Sequence, residues 1–244
     1  MLKDTLYELK QKHKDKTELW ENKEQIIFLF EDRKNRLVYA NAFLRPGAKL
    51  EINCYDEKMN HLGKLAGGIY TNEATIEELS TKENDVKVGL STNMLKIAEQ
   101  VLLSKEKIKT ITAKQSSVNI LGENAKEELS SKEIKKYTGI FCEKNDFEIV
   151  SKTDFEKNPK KHPNLTDMHF MDVEENDKMI SKNIQAEQAL EFLPINTELP
   201  IIKNRETDKY ILNKKTQIFV TKDVYKKHRN EIVGNKDSIS NENE

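Results

Sequence analysis

Residues 85–103 read DVKVGLSTNMLKIAEQVLL. Gly89-Leu90-Ser91 forms a small turn, and Leu90, Met94, Ile97, Ala98, Val101 and Leu102 then recur at helical spacing. The stretch therefore predicts a turn followed by an amphipathic helix. Apolar runs precede it, and Ile108 to Ala113 follows as an expected strand, giving a strand–turn–helix–strand unit. The first turn of such a helix has N–H groups without intrahelical partners, at the positive end of the helix dipole. An anion fits there, so this turn is the first place to expect a ligand.

Upstream, Gln25 to Phe30 and Arg36 to Phe43 predict a hairpin around Asp32-Arg33-Lys34-Asn35. Leu2 to Lys16 predicts a helix, and Arg45-Pro46-Gly47 a break. In Lys49 to Tyr55 the apolar Leu50, Ile52 and Cys54 alternate with polar residues, as in a half-buried strand. His61 to Tyr70 returns as a strand containing Gly63, Gly67 and Gly68, a sign of a bulge or a close backbone approach. Thr75 to Leu79 completes the meander.

Downstream, Asn124 to Tyr137 predicts a helix, and Ile149-Val150 a strand. Composition shifts at Lys157, where KNPKKHPNLTD predicts a linker or long loop. Val173 to Phe192, with Ile180, Ile184, Ala189 and Leu190, predicts a further helix. Glu198 to Ile202, Tyr210 to Leu212 and Gln217 to Val220 predict strands, Lys222 to Ile232 a short basic helix, and 233–244 a disordered tail. The fold class expected is α+β, a mostly antiparallel mixed sheet with packed helices. Its expected divisions are an N-terminal helix and hairpin (1–45), a central domain (46–156) and a smaller C-terminal α+β segment (157–232).

Composition narrows the function. In 244 residues, 41 Lys and Arg oppose 42 Asp and Glu, for a formal net charge of -1. That balance offers no overall attraction to nucleic acid or an anionic membrane. Cys54 and Cys142 are far apart and belong to no CxxC or Cys/His cluster, which argues against structural zinc and for a reducing compartment. MLKDTLYELKQKHKDK lacks the apolar core of a signal peptide, and no apolar run is long enough to span a bilayer. A soluble, cytoplasmic protein is expected.

Residues of about 46–155 resemble the GNAT superfamily of N-acetyltransferases. HLGKLAGGI is similar to the family's third strand, and ENDVKVGLSTNML resembles its acyl-CoA motif, R/Q-x-x-G-x-G/A followed by a helix. IFCEKNDFEIV resembles the FYEKxGF segment. Val86 stands at the Arg/Gln position, Gly89 at the first Gly, Ser91 at the second and Cys142 at the Tyr. The resemblance implies an acyl-CoA-dependent N-acyltransferase, with acetyl-CoA as co-substrate and an amine as acceptor. Lys87, Val88, Gly89, Leu90, Ser91 and Thr92 would hold the pyrophosphate, and Leu79, Ser80 and Thr81 would offer free strand groups to the pantetheine arm. Glu77 or Glu78 would take the amine proton, and Cys142 or Tyr137 would protonate the leaving thiolate.

Other readings stay open at this level. One is a catalytically degenerate GNAT-like binding or regulatory protein of a mobile element, with a protein partner. Another is a metal-independent ribonuclease using the basic run from Lys222 to Arg229, where Tyr225, His228 and Arg229 share a helix face; the bland alternative is a solvated basic face. His162 and His169, near Asp167 and Asp172, lack the tight spacings of a metal motif.

Overall fold

The computed structural model describes residues 25–45, 49–58, 60–82, 89–103, 108–122, 129–184, 192–195, 202–203, 210–211 and 217–228. The expected helix from Leu2 to Lys16, the candidate residues Lys87 and Val88, and the polar tail lie outside them.

The protein is α+β. Its strands are β1 (Gln25–Glu31), β2 (Leu37–Arg45), β3 (Lys49–Tyr55), β4 (His61–Tyr70), β5 (Glu73–Thr81), β6 (Thr110–Lys114), β7 (Val118–Asn119), β8 (Glu148–Val150), β9 (Met179–Asn183), β10 (Phe192–Ile195), β11 (Ile202–Lys203), β12 (Tyr210–Ile211) and β13 (Gln217–Thr221). The helices are α1 (Leu90–Leu103), α2 (Ser131–Lys144), α3 (Lys152–Lys157) and α4 (Lys222–Lys227). One eleven-stranded sheet has the order β10-β13-β1-β2-β3-β4-β5-β6-β9-β8, with β7 also beside β5. Each of the three expected segments supplies strands to it. Among the described residues, only β1–β13, β5–β6 and β5–β7 pair in parallel, so the sheet is mostly antiparallel. Among the described residues, no helix is long and apolar enough to cross a membrane.

The strand–turn–helix–strand unit is present as β5–α1–β6. Parallel pairing of β5 with β6 needs a crossover, and α1 provides it. Leu90, Met94, Ile97, Ala98, Val101 and Leu102 of α1 are buried in the main core against Ile52, Leu65, Ile76 and Leu79 of the sheet. Each large apolar chain buried in this way contributes roughly 1.5–3 kcal/mol.

A bulge sets the phase of β5. Ala66 pairs with Glu78 and Gly67 with Ile76, leaving Glu77 as the extra residue. This lets Ile76 and Leu79 both face the core although they are three positions apart. Gly67 is required here, because a Cβ would stand 2.2 Å from the Thr75 carbonyl oxygen.

Two expectations change. Within the span expected as a helix from Val173 to Phe192, Met179–Asn183 is strand β9, between β6 and β8. Ile180 faces the main core, while Met179 joins Val150, Phe155, Leu165 and Phe170 in a second small core. Burial on both faces removes the alternation that marks a strand in sequence. The helix expected over 124–137 instead runs Ser131–Lys144. Ser130 and Glu133 form a capping box that starts it there, so IFCEK belongs to its last turns.

Candidate functional site

The start of α1 faces a cavity of about 330 Å³ whose wall is Gly89, Leu90, Ser91 and Thr92. Ile120 and Leu121 follow β7 into its lining. Tyr137, Ile140, Phe141 and Lys144 of α2 face it from the other side, a spacing that puts one helix stripe on the cavity. Arg33, from the β1–β2 turn, completes the lining.

Gly89 sits at φ +85°, a conformation in which a side chain is strained. As the residue before the helix it has no side chain to cap the first N–H groups, and α1 has no acidic residue in its first turn. Ser91 is buried, at 8 % exposed. Arg33 and Lys144 are in no ion pair among the described residues. Among the described residues, the lining contains no Asp or Glu. The cavity is thus apolar on its α2 side and positive at its rim.

The sequence-derived candidates divide. Gly89, Leu90, Ser91, Thr92 and Tyr137 come together around the cavity. Cys142 does not. It is fully buried in the main core, and burial pushes its thiol up to about 12. Leu79 and Ser80 are expected to offer free backbone groups, yet they pair with Val118 and Asn119 of β7. Thr81 Oγ1 donates to the Ile120 carbonyl. The backbone edge that the resemblance assigns to an arm is therefore used by the protein's own strand, because the chain returns to β5 after the short turn at Gln115–Ser117.

Glu78 pairs across the strand with Ala66, between the Leu65–Leu79 and core-facing pairs, so it lies on the sheet face away from α1. It accepts from Lys64 Nζ and Ser80 Oγ, both at 2.9 Å. Burial pushes this carboxyl up, but the Lys64 and Ser80 hydrogen bonds outweigh it and hold it below its ordinary value. Glu77, at the bulge, is exposed. Nearby, burial, then Lys82 and Lys64, lower the pKa of His61 below 6.5. The unfolded chain therefore binds a proton first as pH falls, and stability declines from about pH 6.5 downward. In His61→Gln, the denaturation midpoint changes less with pH below about 6.5; an unchanged pH profile is the contrary result.

The other candidate groups have structural partners. His162 Nδ1 lies 2.6 Å from Glu148, and His169 Nε2 lies 3.1 Å from Glu73. Among the described residues, no three His, Cys, Asp or Glu side chains gather as metal ligands. In α4, Val224 is buried and Lys227 pairs with Glu31 at 2.5 Å, so this basic helix is anchored on β1. Arg229 lies outside the described residues. A larger cavity, of about 770 Å³, lies between Lys114–Asn119, the N-terminal half of α2 and the 172–177 loop. Its polar groups already close that loop: Ser116 Oγ donates to Asp177, Lys114 to the Asp172 carbonyl and Lys135 to the Asn176 carbonyl.

Sequence reasoning missed Arg33, Lys144, Ile140 and Phe141. The 137/140/141/144 stripe is readable once the helix is placed correctly. Arg33 has no local signal, since it reaches the site through the pairing of β1 with β2.

No family model and no curated protein matches the chain. Solved structures similar to it include the PaiA N-acetyltransferase from Thermoplasma acidophilum in complex with coenzyme A. That likeness is 14 % identical, covers 56 % of this chain and 61 % of the other, and has a TM-score of 0.37. A GNAT-family acetyltransferase from Staphylococcus aureus is 11 % identical over 57 % of this chain and 70 % of its own, with a TM-score of 0.39. An aminoglycoside 6'-N-acetyltransferase complexed with coenzyme A is 13 % identical over 75 % and 91 %, with a TM-score of 0.37. Likeness at this level carries no argument about activity or substrate.

Proposed function

We propose that the protein is an acyl-CoA-dependent N-acyltransferase whose acyl-CoA substrate occupies the cavity between α1 and α2. One observation carries this reading. A helix start that follows Gly89 at φ +85° and has no acidic residue in its first turn opens into a cavity with an apolar wall and no Asp or Glu among the described lining residues. Such a site suits a ligand with phosphates at one end and an uncharged, largely apolar arm at the other.

The N–H groups of Leu90, Ser91 and Thr92 face the phosphates, and Ile120, Leu121, Ile140 and Phe141 receive the arm. The arm lies against α2, since the β5 edge is taken by β7. An amine attacks the thioester carbonyl, and the C–S bond then breaks. Tyr137 gives the departing thiolate its proton, and Glu77 or Glu78 takes the amine's proton through water. Glu77 is the better placed of the two, because Glu78 is already bound to Lys64 and Ser80.

A second reading, a module that binds the ligand without transferring its acyl group, is favoured by the closed β5–β7 ladder. Acetyl-CoA at 100 times its Kd raises stability by about 2.7 kcal/mol through mass action. A thermal melt with millimolar acetyl-CoA, followed by an acetyl-transfer assay on a panel of amines, separates the readings. No thermal shift rejects both; a shift with no transfer to any amine leaves the second.

A further inference from the structure

Arg33 lies outside the stretch that carries the family resemblance, yet it lines the cavity. We infer that Arg33 fixes the site's specificity for a diphosphate, supplying from the β1–β2 turn the charge absent at Val86, with Lys144 closing the opposite side. This inference rests on the acyl-CoA reading and narrows it to the ligand's diphosphate.

The turn that carries Arg33 is held rigidly. Asp32 is buried and accepts from Lys34 N at 2.7 Å, Arg36 N at 3.0 Å and Arg36 Nε at 2.7 Å. Its backbone N–H donates to the Arg36 carbonyl, and its own carbonyl receives Asn35 N–H. Asn35 takes a φ of 57° to close the loop. Arg33 thus projects from a fixed apex.

Its side chain runs across the start of α1. A Cβ on Gly89 would lie 3.6 Å from Arg33 Nε, 3.8 Å from Cγ and 4.0 Å from Cδ. The backbone of Gly89 therefore lies under the guanidinium stem, next to the open N–H groups and the Ser91 hydroxyl. An exposed arginine without an ion-pair partner is commonplace on its own. Here it shares a cavity with Lys144 and a helix start, and no Asp or Glu is among the described lining residues beside these three positive elements. A guanidinium presents paired N–H donors that match two phosphate oxygens, a geometry lysine lacks.

Calorimetric titration of the full chain tests the inference with two probes, coenzyme A and inorganic pyrophosphate. Arg33→Ala weakens both by about ten- to a hundredfold, the range for hydrogen bonds to a charged group. Arg33→Lys recovers part of the loss, Lys160→Ala matches the native chain, and all melt alike without ligand. If the native chain binds coenzyme A and Arg33→Ala binds it equally well, Arg33 is overturned while the acyl-CoA site stands. If the native chain binds pyrophosphate in an Arg33-dependent way but not coenzyme A, the diphosphate role stands and the acyl-CoA reading falls. Binding of neither probe overturns both.

Discussion

Lys182→Met destabilises the protein by about 3–5 kcal/mol, the cost of leaving a buried charge without its partner. Lys182 lies on β9 and Glu99 on α1; their side chains are 5 % and 3 % exposed, and Lys182 Nζ is 2.5 Å from Glu99 Oε1. Lys182 also stands 5.6 Å from the Phe147 ring centre, so the ammonium is held by a carboxylate and an aromatic face. Removing it strands Glu99 in the core without its cation. The deficit in a chain of this size appears as a fall in Tm of roughly 10 °C. Lys182→Met combined with Glu99→Leu recovers most of the loss, because an apolar pair of similar volume replaces the ion pair. A double variant as unstable as the single one contradicts this account. The pair also bears on function, since it fixes the far end of the helix whose first turn lines the cavity.

The same pair shows why part of the fold was hidden in the sequence. The meander was legible because β3 buries Leu50, Ile52 and Cys54 while Glu51, Asn53 and Tyr55 face outward, a contrast visible at period two. The α1 helix was legible for the same reason at helical spacing. In β9, Met179, Ile180, Ser181 and Lys182 are all buried. Lys182 reads as a surface residue until its partner Glu99, 83 positions earlier, is known. The neighbouring Glu, Lys, Gln and Ala residues then favour a helical reading by propensity. The site divides in the same way. Gly89 to Thr92 were readable because a glycine before an amphipathic helix marks an open helix start. Arg33 was not, since only the register of β1 against β2 and the long-range sheet order bring its turn to α1. Cys142 was assigned by its position in a motif, but α2 turns it toward the core and presents Tyr137 and Lys144 to the cavity instead.

That choice between two positions on one helix is open to a kinetic test. Tyr137→Phe lowers kcat by about 10²–10⁴-fold, the usual contribution of a positioned general acid, while the affinity for coenzyme A stays the same. The substitution keeps the ring in the cavity wall and removes only the hydroxyl, so packing and binding are preserved. Cys142→Ala has the opposite profile. Its thiol is buried among apolar residues and pushed up to about 12, so its loss costs packing energy of about 1 kcal/mol and leaves the chemical step intact. Full activity in Tyr137→Phe removes the tyrosine from the mechanism. A large kcat loss in Cys142→Ala with unchanged thermal stability requires a conformation in which α2 rotates its buried face outward. The Ser130–Glu133 capping box opposes that rotation at one end of the helix, and Asn145, whose side chain donates to the Phe141 carbonyl at 2.8 Å, opposes it at the other. Tyr137 is therefore the residue from which the departing thiolate is expected to take its proton.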